Sequence, residues 1–93
     1  MSNVTVKIPT PLRHFVDNQK ELIVSADQTV KSALDNLVKT YPQLQKHVFD
    51  EQNQVRKFIN VYLNETDIRH ENGENTQISD NDVLSLVPSI AGG

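Results

Sequence analysis

Near the start of the chain the stretch "NVTVKI" alternates, with Val4, Val6 and Ile8 on one side and Thr5 and Lys7 on the other. That period of two predicts a half-buried strand, and Pro9 and Pro11 end it. After the connection "PTPLRHFVDNQ", the segment "KELIV" resumes the alternation at Leu22 and Val24, which predicts a hairpin with a long, decorated loop. Asp17-Asn18 supplies residues that tolerate left-handed backbone at its turn. The period then changes. In "DQTVKSALDNLVKTYP" the apolar residues Val30, Ala33, Leu34, Leu37, Val38 and Tyr41 form one stripe of an amphipathic helix. Thr29 is placed to cap it and Pro42 to stop it. "QLQKHVF" predicts a short turn that tucks Leu44, Val48 or Phe49 under the fold, and "DEQNQV" a solvated loop.

Alternation returns in "FINVYLN", where Asn60 makes Ile59, Val61 and Leu63 the core face and turns Phe58 and Tyr62 outward. "NETDIRHENGEN" reads as a turn, a short strand near Ile68 and a loop at Gly73. "SDND" is a tight-turn composition leading into "VLSLVP", with Leu84 and Leu86 inward and Val83, Ser85 and Val87 outward.

The order is strand, strand, helix, then two or three strands. One helix covers one face of one sheet, which gives a two-layer α+β domain. A last strand lying beside the first must run parallel to it, the arrangement called a β-grasp, with a mixed four- to five-stranded sheet. Residues 1–88 are read as that single domain. The remaining "SIAGG", residues 89–93, is expected to project from the end of a central strand as a flexible tail.

Composition narrows the function. Hydrophobic content of 37% and charge of 23%, gathered in periodic clusters, fit one packed domain of 93 residues. With no cysteine there is neither disulfide, thiolate zinc site nor cysteine nucleophile. Nine basic against twelve acidic residues give a net charge of −3, and Arg56-Lys57 is the lone adjacent basic pair. Such a chain has no stripe for nucleic acid. The opening "MSNVTVKIPT" lacks the features of a signal peptide, and no apolar run approaches the ~20 residues of a membrane span, so a soluble, cytoplasmic protein is expected.

The chemistry-bearing signal is the closing Gly92-Gly93. A terminal carboxylate can attack the α-phosphate of ATP to give an acyl adenylate, which sulfur or nitrogen nucleophiles then displace. Glycines suit an end that must reach another protein's active site, because no Cβ obstructs the carbonyl and the backbone accepts the φ/ψ values of a narrow channel. Contacts further up the tail, such as Ile90, would offset the lost freedom.

The stretches "NVTVKIPTPLR", "TYPQL", "FINVYLNETDIR" and "LVPSIAGG" together resemble the ubiquitin-like sulfur-carrier proteins of the MoaD/ThiS superfamily, and within it the CysO type that serves cysteine biosynthesis. Asp17-Asn18 departs from the Gly-rich hairpin turn of that type. The resemblance implies a cosubstrate rather than an enzyme, with no cofactor of its own. Gly93 would be adenylated by an E1-like enzyme and converted to a thiocarboxylate, and Ser89, Ile90, Ala91 and Gly92 would thread the partner's active site. It also implies a PLP-dependent cysteine synthase that takes the sulfur and a zinc metalloprotease that trims the product. Carriage toward molybdopterin or thiazole, and conjugation of Gly93 to lysines as a protein modifier, stay open.

Phe58, Tyr62 and Val87 fall on the sheet face opposite the helix, near the root of the tail, and predict a partner-docking face; packing under the long loop with Leu12 or Phe15 is the alternative. Glu65, Asp67, Glu71, Glu74, Asp80 and Asp82 surround Arg69 alone and read first as solvated loops, second as a charge that steers a basic partner. His14, His47 and His70 match no compact ligand spacing and "HENGE" lacks a second histidine, so no metal site is predicted. "DND" lacks the glycine and closing glutamate of a calcium loop, and Ser79, Ser85 and Ser89 have no nucleophile-elbow setting.

Overall fold

The computed structural model describes residues 2–56 and 59–88. Strand β1 (Ser2–Lys7) buries Val4 and Val6 completely, with Ile8 following them inward, and Pro9 closes it as the alternation predicts. The connection is more ordered than a loop. Thr10–Val16 forms a 3-10 helix, started by its own proline and pinned where Arg13 Nε donates to the Ile8 carbonyl at 3.0 Å. Leu12 and Val16, four residues apart, point into the core. Asp17 and Asn18 then take left-handed backbone (φ 58° and 62°) and turn the chain into β2 (Glu21–Ala26), antiparallel to β1.

Helix α1 (Val30–Thr40) begins with a reciprocal cap. The Thr29 hydroxyl accepts from the Ser32 amide at 3.2 Å, while the Ser32 hydroxyl accepts from the Thr29 amide at 3.3 Å, satisfying two otherwise orphaned donors. Val30, Ala33, Leu34, Leu37 and Val38 make the buried stripe, and Tyr41 is half-buried at its end. A 3-10 turn (Pro42–Leu44) and the one-turn helix α2 (Gln45–Val48) follow. Leu44, Val48 and Phe49 are all buried, so the whole segment tucks under the fold. "DEQNQV" is the solvated loop expected, exposed over residues 51–54, and it is a built reversal: Asp50 Oδ1 accepts from the Gln52 and Gln54 amides, Asn53 takes φ 62°, and Val55 bridges back to Phe49.

Strand β3 (Ile59–Leu63) keeps Val61 buried with Ile59 and Leu63 packed on the core. The short strand expected near Ile68 lies one step earlier. β4 is Thr66–Asp67, and Ile68 opens a 3-10 turn (Ile68–His70) that drops its side chain into the core. Asp67 Oδ1 accepts the Arg69 amide, the cap that ends strand geometry there. After a second 3-10 turn (Gly73–Asn75) and a tight turn with Asn81 at φ 73°, β5 (Val83–Pro88) closes the chain's described part. Leu84 and Leu86 are buried; Val83 and Ser85 are half-buried and Val87 is exposed.

The sheet order is β2-β1-β5-β3-β4, with β1 and β5 parallel and the other neighbours antiparallel. This is the mixed five-stranded β-grasp, with α1 on one face. The core lies between that helix and the inward residues of four strands, each large aliphatic side chain contributing about 1.5–3 kcal/mol by leaving water. Among the described residues no helix is long and apolar enough to cross a membrane.

Candidate functional site

The final strand occupies the centre of the sheet. Its first half is held on both sides: Val83 to Ser85 pair with Thr5 to Lys7 of β1, and Leu84 and Ser85 also pair with Leu63 and Tyr62 of β3. Beyond Ser85, β1 has turned away at Pro9, and β5 continues to Pro88 against β3 alone, Val87 opposite Asn60 and Pro88 opposite Ile59. At this end the sheet meets a groove of about 290 Å³ walled by Pro11, Leu12, Ile59 and Pro88. Lys46 and Arg56 put two cations on its rim, and Arg56 is steadied by donating from Nε to the Lys46 carbonyl at 2.6 Å.

The open sheet face bears two of the three predicted docking residues. Tyr62 is half-buried opposite Ser85, and Val87, 41% exposed, lies two pairs further along on the same face. Phe58, the third, lies outside the described residues, as do Ser89, Ile90, Ala91, Gly92 and Gly93. Packing of Phe58 under the long loop, the alternative, likewise lies outside the described residues. Leu12 enters the core, while Phe15 sits between the rings of His14 and His47, with centroids 3.9 and 4.7 Å away.

An unforeseen group joins this face. Arg69 Nη2 donates to Asp67 Oδ2 at 2.7 Å and to Asn60 Oδ1 at 2.9 Å, so one guanidinium clamps β3 to β4 beside Tyr62. The Arg69 side-chain hydrogen bond, aided by the Arg69 backbone amide, holds the Asp67 carboxyl below the usual carboxylate range, against the opposing effect of burial. The side chain of Asp67 is 9% exposed and that of Arg69 67%, so the carboxylate is structural and the cation remains available to a partner. Sequence reasoning had Asn60 and Arg69 in view singly. Their meeting depends on the β3–β4 register, for which the left-handed Asn64 at the turn (φ 59°) was the available signal.

The acidic cluster resolves into separate tasks. Asp80 Oδ1 accepts the Asn3 amide at 2.8 Å, and Asp82 Oδ2 accepts the Ser79 amide at 2.7 Å, so both build the turn before β5. Glu65 and Glu71 are exposed, and Glu74 is half-buried. His14 and His47 flank Phe15, and His70 is exposed on its own turn; among the described residues no three metal-ligating side chains converge. Ser85 is a half-buried residue of the open face and Ser79 a turn residue; Ser89 lies outside the described residues.

The sequence profile of the ThiS family matches residues 6–93. The chain belongs to the ThiS family. It is 34% identical over 93 residues to the sulfur carrier protein CysO of Mycobacterium tuberculosis, covering 98% of this chain and 99% of that protein. Among solved structures it is similar to the Amycolatopsis orientalis BexX/CysO complex, with a TM-score of 0.86 at 32% identity, covering 97% of this chain and 99% of the other. It is also similar to the small archaeal modifier protein 1 of Methanosarcina acetivorans, with a TM-score of 0.85 at 31% identity, covering all of this chain and 98% of that one. These ThiS-family and related proteins are named as carriers and a modifier, not as enzymes, which agrees with the resemblance read from the sequence.

Proposed function

We propose that this chain is a sulfur-carrier cosubstrate of the CysO type, with residues 1–88 as the body presented to partners and residues 89–93 as the tail that enters their active sites. The observation that carries the reading is the near-full-length identity to a sulfur carrier, in a family match that runs in frame through Gly92 and Gly93. Docking of the body falls to Phe58, Tyr62 and Val87, with Arg69 as an anchored cation on the face that Tyr62 and Val87 share.

In the proposed cycle a carboxylate oxygen of Gly93 attacks the α-phosphorus of ATP on an E1-like enzyme, and pyrophosphate leaves. A sulfide-equivalent nucleophile then adds to the acyl carbon and AMP departs, leaving a thiocarboxylate. Its sulfur displaces the leaving group of an activated serine derivative on a PLP-dependent synthase, and a zinc metalloprotease hydrolyses the resulting cysteine from the tail. ATP, PLP and zinc belong to the partners in this scheme. The body contributes position, because a central strand held from both sides aims the tail while no side chain of this chain takes part in bond making.

Intact mass spectrometry of the full chain recovered from its host tests the proposal. A mass gain of one oxygen-to-sulfur exchange, mapped to the C-terminal peptide, is expected; its absence under sulfur-replete growth overturns the reading. A second reading, conjugation of Gly93 to lysines, is favoured by the likeness to an archaeal modifier protein over the whole chain. It predicts higher-mass conjugates in the same spectrum.

A further inference from the structure

The structure leaves one edge of the sheet open. Strand β4 at one side is two residues long and runs straight into a 3-10 turn, which blunts it. At the other side β2 is six residues long, and its outer edge borders a groove of about 540 Å³ against the second half of α1. The Ile8 amide donates to the Lys20 carbonyl at 2.8 Å, which makes that pair hydrogen-bonded. The antiparallel alternation then assigns the inward bonds to Leu22 and Val24, and turns the backbone groups of Glu21, Ile23 and Ser25 outward. Asn36 Nδ2 caps the Ser25 carbonyl, as that assignment requires. Among the described residues, no side chain caps the amide or carbonyl of Ile23.

Ile23 also carries the most exposed large hydrophobic side chain of the described residues, at 75%. Helix α1 runs antiparallel to β2 here, from Asn36 at Ser25 to Tyr41, whose hydroxyl accepts from Gln19 Nε2 just before the strand. Between these ends the helix side offers Lys39 and Thr40. In a chain of net charge −3 this groove is lined by one cation and no anion.

We propose that the β2 edge is a docking site for an extended segment of another protein, added as a sixth strand. The segment carries apolar side chains at alternate positions and an acidic residue that meets Lys39. Backbone pairing to Ile23 supplies affinity, and the groove beside Tyr41 selects side chains. Strands β2 and β1 separate the added strand from β5, so it lies roughly 14 Å from the tail-bearing strand and leaves the open face and the end of β5 uncovered. A partner could therefore hold the carrier while a second enzyme works on its tail.

The test is a titration of the ¹⁵N-labelled full chain with a short synthetic peptide of alternating valine and threonine ending in two aspartates. Shifts centred on Glu21, Ile23, Ser25 and Lys39 are expected. The same peptide N-methylated at the two amides facing the Glu21 and Ile23 carbonyls should bind about tenfold more weakly, since each lost backbone bond removes on the order of half to one power of ten in affinity. Lys39→Glu should weaken the unmethylated peptide about threefold with an unchanged spectrum elsewhere. Equal affinity for the methylated peptide, shifts confined to the Tyr62 and Val87 face, or no binding overturns the proposal. Concentration-dependent shifts of β2 without peptide also overturn it, because a second copy of the chain would then be the occupant.

Discussion

Two alanine substitutions on β5 test whether the strand divides its faces as described. Leu84 is fully buried and pinned on both sides, opposite Val6 on β1 and Leu63 on β3. Neither neighbour can move in without breaking its ladder, so Leu84→Ala leaves most of its cavity open and should cost about 3 kcal/mol, within the range for buried leucines. Val87 is three residues on, on the opposite face, and already 41% exposed. Its truncation removes two methyl groups that are partly in water and should cost less than about 1 kcal/mol. Urea denaturation of both variants measures the contrast. With a slope of about 1.5 kcal/mol/M, Leu84→Ala should lower the midpoint by about 2 M and Val87→Ala by less than about 0.7 M. Comparable losses in the two variants would refute the face assignment, and with it the exposure of the proposed docking surface.

Asp67→Asn should lower the melting temperature at neutral pH. The folded carboxyl titrates below its unfolded value, so its stabilisation is fully present above the ordinary aspartate range and is lost as pH falls through the folded value. Melting curves of wild type and variant should accordingly converge in acid, and a constant gap down to about pH 2 would contradict the clamp. Thr29→Ala removes half of the reciprocal cap on α1 and should cost about 1 kcal/mol in chemical denaturation, whereas Thr29→Ser should cost little. Appending one alanine after Gly93 should abolish the oxygen-to-sulfur mass gain while leaving the fold's circular dichroism unchanged; a persisting gain would contradict the tail chemistry.

Much of the fold was legible because a single periodicity governed each element. The strand faces at Val4, Val6, Val61, Leu84 and Leu86 and the stripe from Val30 to Val38 follow from which residues avoid water, and Thr29 and Asp17-Asn18 declared their backbone roles by side-chain chemistry. The 3-10 helix at Thr10–Val16 was hidden because Pro9 and Pro11 read equally as loop, and two apolar residues four apart are too few to fix a period. Ile68 looked like strand by its branching, yet the Asp67 cap turns the chain there. The rim pair of Lys46 and Arg56 was beyond local reading, since a reversal built on Asp50 and Asn53 brings the two together. Likewise Arg69 reaches Asn60 only through cross-strand register.

The short overlap of β1 with β5 has a mechanical consequence. A pull on Pro88 directed along β5 loads its bonds to β1 and to β3 side by side, so they must fail together rather than unzip one after another. Tension along β5 is thus borne in shear by the middle of the sheet, where Leu84 and Ser85 are held from both sides.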